Sequence, residues 1–205
     1  MAKVESIQSK VISNAAKTFV VEVFYDDCAE DPRVNENVGR MALYHRRHSL
    51  GDSTKVLGFS MNYLAEACDS WDEVKENIMQ REDVAIIVPV SGYDHGGLTV
   101  SHGVLRGWDS GMLGFHYMTK KDLEESFDGD EVRGIKCLEA EIEEYNNYLQ
   151  GNVYFYSVKE VEECDSCGHK HEKFLNSCGG YVGCLDECFA EGIAEANAYL
   201  SAIEV

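Results

Sequence analysis

Apolar positions along the chain fall into short runs separated by polar, glycine-bearing stretches, and the period of each run predicts its element. Thr18–Tyr25 (TFVVEVFY), rich in Val and Phe, reads as a strand. The continuous apolar run Asp83–Val90 (DVAIIVPV) predicts a buried strand, and Pro89 suits its end or a bulge. Leu98–Ser101 should pair back with it, and Met112–Tyr117 adds a further strand. Val153–Val161 (VYFYSVKEV) alternates as a strand, with Lys173–Asn176 as its hairpin partner. Met41–His45 and Lys55–Phe59 predict short strands, whereas Met61–Cys68 is apolar without a clear period.

Helix starts are written in capping residues. Ser70 with Glu73, and Thr119 with Asp122, open helices reaching about Gln80 and Phe127. From Glu131 the apolar positions Val132, Ile135, Leu138, Ile142, Tyr145 and Leu149 are spaced by three and four, the mark of one helical face, and Gly151 ends the run. Leu185–Ile203 reads as a closing helix. Residues 1–16 are weakly patterned and predict a flexible arm or an edge element. No repeat or low-complexity linker interrupts the series. The expectation is a single α+β domain over 1–205, a mainly antiparallel sheet packed with two to four helices, with a Cys- and His-rich hairpin tip and helix start over 161–188.

Charge changes this picture more than size does. The 205 residues carry 37 Asp and Glu against 18 Lys and Arg, a formal net charge of −19. Such a surface repels nucleic acid and anionic membranes and attracts basic protein grooves. The N-terminal residues hold no continuous apolar stretch, and no segment nears the roughly 20 apolar residues of a membrane span. A location in the cytoplasm of a bacterial host is expected. The helix after Glu131 carries Glu139, Glu141, Glu143 and Glu144, read as a solvated ridge that Glu124, Glu125, Asp128 and Asp130 extend. These eight acids are the expected partner-binding surface.

Candidate chemistry lies in two places. The first is Tyr93–Tyr117, which holds three His, six Gly and Trp108, too glycine-rich for a helix and bounded by apolar segments. Asp94, His95 and Asp109 sit in its loops, and Asp26, Asp27, His45 and His48 could lie beside them if the strands are neighbours. A set of that kind suits a hydrolase, either a metal-dependent one built from Asp and His or one with a Ser-His-Asp arrangement. A Tyr-Asp-His turn equally suits local side-chain to backbone bonds, and Trp108 is expected in the core or at its rim. The basic run Arg46-Arg47, flanked by His45 and His48, is expected to pair with Asp26, Asp27 or Asp52, the other reading being an anion site.

The second place is the cysteine-rich tail. Cys164-x-x-Cys167, followed by Cys184 and Cys188, approaches zinc-ribbon spacing, with His169, His171 and Cys178 as alternative ligands. Zinc here would be structural, with four protein ligands. Unpaired thiols and a redox pair are the other readings.

The segments FYDDCAEDPRVNENVGRMALYHRRHSLGD, VPVSGYDHGGLTVS, GWDSGMLGF, CLEAEIEEYNNYLQGNVYFY and NSCGGYVG, in that order from Phe24 to Gly183, resemble a group of proteins encoded by bacteriophages and mobile plasmids, to which no activity is attached. CDSCGHKHE departs from that pattern as an addition at the hairpin tip. The resemblance implies a phage or plasmid origin and no catalytic residues. Joined to the charge, it leads to an acidic accessory protein that occupies the basic groove of a host nucleic-acid-binding defence machine, of anti-CRISPR or anti-restriction type, by nucleic-acid mimicry. The alternatives are the hydrolase of His45, Asp94, His95 and Asp109, and a structural or regulatory phage protein with a closed zinc site.

Overall fold

Strand pairing is antiparallel throughout, and the α+β class expected from the sequence is the class observed. The computed structural model describes residues 5–164 and 166–202. The strands form two four-stranded sheets, and the chain divides into two compact units. One is made of Met1–Glu30 with Gly151–Val205, the other of Asp31–Gln150. The described residues include six α-helices, and none of them is long and apolar enough to cross a membrane.

In the first unit β1 (Gln8–Ser13), β2 (Thr18–Tyr25), β7 (Val153–Glu163) and β8 (Lys170–Val182) lie side by side in that order. The edge-element reading of the N-terminal residues is the one realised, because β1 pairs along β2 from Gln8 to Ser13. Alternate residues sort the faces. Phe19, Val21 and Val23 on β2 and Tyr154, Tyr156 and Val158 on β7 pack with Cys188 and Ala196 of α6 (Leu185–Ser201). Ile203, the expected end of that helix, lies outside the described residues. The hairpin partner expected at Lys173–Asn176 is part of a much longer strand that follows β7 along its whole length.

In the second unit the sheet order is β3 (Arg40–Leu43), β6 (Ser110–Thr119), β4 (Val84–Asp94), β5 (Leu98–His102). Helices cover both faces. Met41, Leu43, Val90 and Val100 meet Ile142 and Tyr145 of α5 (Glu131–Leu149). Ala42, Phe115 and Tyr117 meet the helices α1 (Thr54–Leu57), α2 (Met61–Ala67) and α3 (Trp71–Arg81). Each fully buried side chain of this kind contributes about 1.5–3 kcal/mol. The capping residues act as expected: Ser70 accepts from the Glu73 amide at 3.2 Å, and Thr119 from the Asp122 amide at 3.1 Å, opening α4 (Lys120–Phe127). The register shifts between Val90 and Ser91, opposite Gly114. Gly114 has φ +146, and a Cβ there would lie 2.1 Å from the Ala42 carbonyl oxygen, so only glycine fits.

Two expectations are corrected. Lys55–Phe59 is not a strand: Thr54–Leu57 is one helical turn closed by Gly58 in the left-handed region, which lets both Leu57 and Phe59 be buried. The apolar face of α5 also starts later than its spacing implies. Val132 is 64% and Ile135 41% exposed, while Gly134 is buried, and a Cβ on it would meet Leu123 and Ile86 at under 3 Å.

Glu141 is withdrawn from the expected acidic ridge. It anchors a buried polar set that no spacing rule announces. Arg33, 5% exposed, donates to both Asp52 oxygens at 2.7 and 3.0 Å, to Glu141 at 3.0 Å and to the Gly39 carbonyl at 2.7 Å. Glu141 also accepts the Val38 and Gly39 amides, each at 3.0 Å, and faces His116 Nε2 at 3.1 Å. His116 Nδ1 meets His102 Nε2 at 3.0 Å. Gly39 is needed at the centre, since a Cβ there would reach His116 and Leu138 at under 2.5 Å. Losing one partner of such a buried charged set costs about 3–5 kcal/mol, because the rest is left uncompensated.

The set makes stability depend on pH in one direction. Burial, and then His116, lower the pKa of His102 from its ordinary 6.5 to about 4. Burial also lowers that of His116, outweighing Glu141. Burial opposes ionisation of Glu141, but the bonds from His116 and Gly39, with Arg33, hold its carboxyl down at about 2. For all three, the unfolded chain binds protons first as pH falls. Melting temperature should therefore decline between pH 6.5 and 4, and again from 4.5 towards 2. His102→Gln, which cannot take up the proton, should reduce the first decline. Thermal melts of both proteins across this range check it, and a flat curve above pH 4.5 would contradict the assignment.

Candidate functional site

The loops at one end of the second unit's sheet gather the predicted Asp and His residues. β3 ends at Leu43 and delivers His45, Arg47 and His48, while β4 ends at Asp94. The Asp94 amide donates to the Asp109 carbonyl at 3.1 Å, tying the β4–β5 turn to the loop before β6. His45 Nε2 lies 3.5 Å and His48 Nε2 3.9 Å from Asp94 Oδ2, and the two imidazole rings are 4.8 Å apart. Arg47 donates to the same carboxylate oxygen. His95 Nδ1 stands 3.1 Å from Asp109 Oδ2. His45, Asp94 and Asp109 line a cavity of about 290 Å³ with Tyr44, Trp71 and Leu98 among its walls.

Of the four residues expected from the sequence, three therefore share one cavity and the fourth, His95, is paired to it through Asp109. His48 joins them. Sequence reading allowed that it could lie beside these loops but left it out of the candidate site, although a His three residues from another His on a loop was a usable signal. The pairing expected for that run is corrected: Arg47 takes Asp94, and Asp52 belongs to Arg33. Trp108 is corrected too, since it is 99% exposed beside exposed Val104 and Leu105.

Electrostatics favour a ligand role for His45. Desolvation, followed by repulsion from His48, outweighs Asp94 and lowers its pKa, so the ring stays neutral where a free imidazole has begun to protonate. Its Nδ1 accepts the Arg47 amide at 3.2 Å. Among the described residues, His45, His48 and Asp94 form the only group of three or more His, Cys, Asp or Glu side chains placed to share a metal ion, their ligand atoms all within 4.8 Å of one another.

The expected zinc ligands are not brought together. Cys164 and Cys167 sit at the tip of the β7–β8 hairpin, and Cys184 and Cys188 follow its far end. Thirteen residues of extended β8 separate the pairs by roughly 40 Å. Cys188 is buried against the sheet, where burial and then Cys178 push its thiol up to about 11. At the tip, His169 and His171 stack edge-on at 4.9 Å, and Asp165 lies outside the described residues. The Ser166 hydroxyl, 3.1 Å from Cys164 Sγ, leads the hydrogen bonds that hold this thiol down at about 7. Brief alkylation at neutral pH should accordingly modify Cys164 well before Cys188, as read by peptide mass spectrometry; equal rates would contradict the two environments.

No family model, no curated protein and no solved structure matches this chain.

Proposed function

We propose that the Asp31–Gln150 unit binds one divalent metal ion through His45, His48 and Asp94, and that the protein uses it for metal-assisted hydrolysis in the adjoining cavity. The observation that carries this reading is the convergence of two imidazoles and one carboxylate within 4.8 Å on a loop cluster. Two nitrogens and an oxygen suit a borderline or hard divalent ion and leave positions open for water and substrate. Asp109 lines the same cavity and is paired with His95, so the two would serve there as a proton acceptor. Binding would release Arg47 on two counts. His45 would shift its proton to Nδ1, losing the Arg47 amide bond, and Asp94 would exchange the guanidinium for the ion.

Mn²⁺ is the useful probe, because thiolates hold it poorly. The full chain should take up one Mn²⁺, and Asp94→Asn and His48→Ala should each abolish uptake. Arg47→Ala should bind at least as tightly as the parent, and Cys164→Ser should change nothing. Chromogenic phosphate and carboxylate esters then test for Mn²⁺-dependent turnover that is lost in Asp109→Asn. Absence of stoichiometric uptake by the parent chain would refute the metal reading, and uptake without turnover of any ester would refute the hydrolase.

A second reading rests on the helices α4 and α5. Glu124, Glu125, Asp128, Asp130, Glu139, Glu143 and Glu144 are exposed there, leaving only Glu141 of the expected eight turned inward. Carboxylates held on rigid helices can stand in for phosphates before a basic groove of a host defence effector. In this reading the protein protects a phage or plasmid against host restriction or CRISPR interference. The doubly substituted Glu139→Lys, Glu143→Lys chain should lose protection in a plasmid-challenge assay while keeping Mn²⁺ uptake. Failure of the parent chain to protect against either system would remove this reading.

A further inference from the structure

A further cavity lies in the first unit and is not among the sites the sequence pointed to. Alternation places it. On β2 and β7, Val21, Val23, Tyr156 and Val158 belong to the core built with α6, so the intervening Glu22, Phe24, Phe155, Ser157 and Lys159 face the opposite side of the sheet. Those residues, with Ser177 and Gly179 of β8 and Asp26 just past β2, line a cavity of about 730 Å³. That volume is in the range of sites for small organic ligands.

Its walls are unequal. Phe24 and Phe155 are register partners whose rings stack on each other at 5.2 Å and 23°, giving an aromatic, apolar wall. Next to it Ser157 and Ser177 are also register partners. Ser157 is 6% exposed, and its hydroxyl has no hydrogen-bond partner. An unpaired buried hydroxyl opposes folding by about 1–3 kcal/mol, and this one belongs to a residue of the cavity lining. At one end Lys159 is committed to Glu22 at 2.6 Å and to Glu172 at 3.3 Å. At the other end Asp26 lies over Gly179, where a Cβ would sit 2.9 Å from its carboxylate. The lining therefore holds Glu22, Asp26 and Asp27 against one lysine that is already paired.

We infer that this cavity binds a flat heteroaromatic amine of the nucleobase class, without a phosphate, packed against the Phe24–Phe155 pair and hydrogen-bonded by its edge to Ser157. Each element of the lining selects one feature. The aromatic wall takes a planar π-face. Ser157 both donates and accepts, matching the mixed edge of an aminated ring. The carboxylate surplus accepts amino groups and repels phosphate.

The test is calorimetric titration of the full chain with adenosine, guanosine, cytidine and uridine, and with their 5′-monophosphates. At least one nucleoside is expected to bind at one per chain, and its monophosphate about tenfold more weakly or worse. Ser157→Ala should weaken the nucleoside about tenfold, the equivalent of one hydrogen bond, and Phe155→Leu should weaken it further. Without ligand, Ser157→Ala should melt at the same temperature as the parent or higher, because it removes an unpaired polar atom. The inference is overturned if no nucleoside binds saturably, if the monophosphates bind equally well, or if binding survives both substitutions. It is also overturned if Ser157→Ala alone lowers the melting temperature, since the hydroxyl would then have a structural partner.

Discussion

Arg33 with Asp52 and Glu141 is the contact on which the Asp31–Gln150 unit depends. One guanidinium ties the short 3₁₀ turn at Pro32–Val34 to the Asp52 loop, to the Gly39 backbone and to the middle of α5. Segments up to 108 residues apart are thereby fixed around a single planar group. Guanidinium is suited to this because it offers five donors in a rigid fork and does not lose its charge. Asp52 in turn accepts the Met41 amide at 2.8 Å, so the same carboxylate that pairs with Arg33 also seats the start of β3.

The set extends towards solvent through two imidazoles. A neutral His116 that donates from Nε2 to Glu141 must accept at Nδ1, which makes His102 the donor from its own Nε2. The polar interior of this unit thus runs from Asp52 to β5 with each of these groups satisfied. β3 is seated by that set at its start and releases His45 and His48 at its end, so the loop cluster at Asp94 inherits its position from the buried ions. Rigid elements below and short loops above are the arrangement that holds side chains within metal-binding distance.

The two sheets use the same alternation to different ends. In the second unit both faces are covered by helices, and the chemistry is pushed to the loops. In the first unit α6 covers one face only, and the other face carries Phe24, Phe155, Ser157 and Lys159 around a cavity. Net charge acts on both. A surplus of 19 negative charges sets up a field that disfavours the approach of anions and favours that of cations.

Local periodicity and capping settled most of the elements before any coordinates: the strands at Thr18, Asp83 and Val153, the caps at Ser70 and Thr119, and the α+β class follow from side-chain spacing that acts within a few residues. The same reading named Asp94, His95, Asp109 and His45, because carboxylates and imidazoles in loops stand out among glycines. What it could not supply depends on separations that only folding sets. Glu141 looked like one more acid on a solvated face, since nothing within its own helix reveals that Arg33 and His116 lie against it. The four cysteines looked like a ribbon because spacing counts residues, whereas an extended strand converts those residues into distance. Ser157 lay unnoticed in an alternating strand, and only the pairing of β7 with both neighbours, and the placing of α6 on one face alone, turned the other face into a cavity.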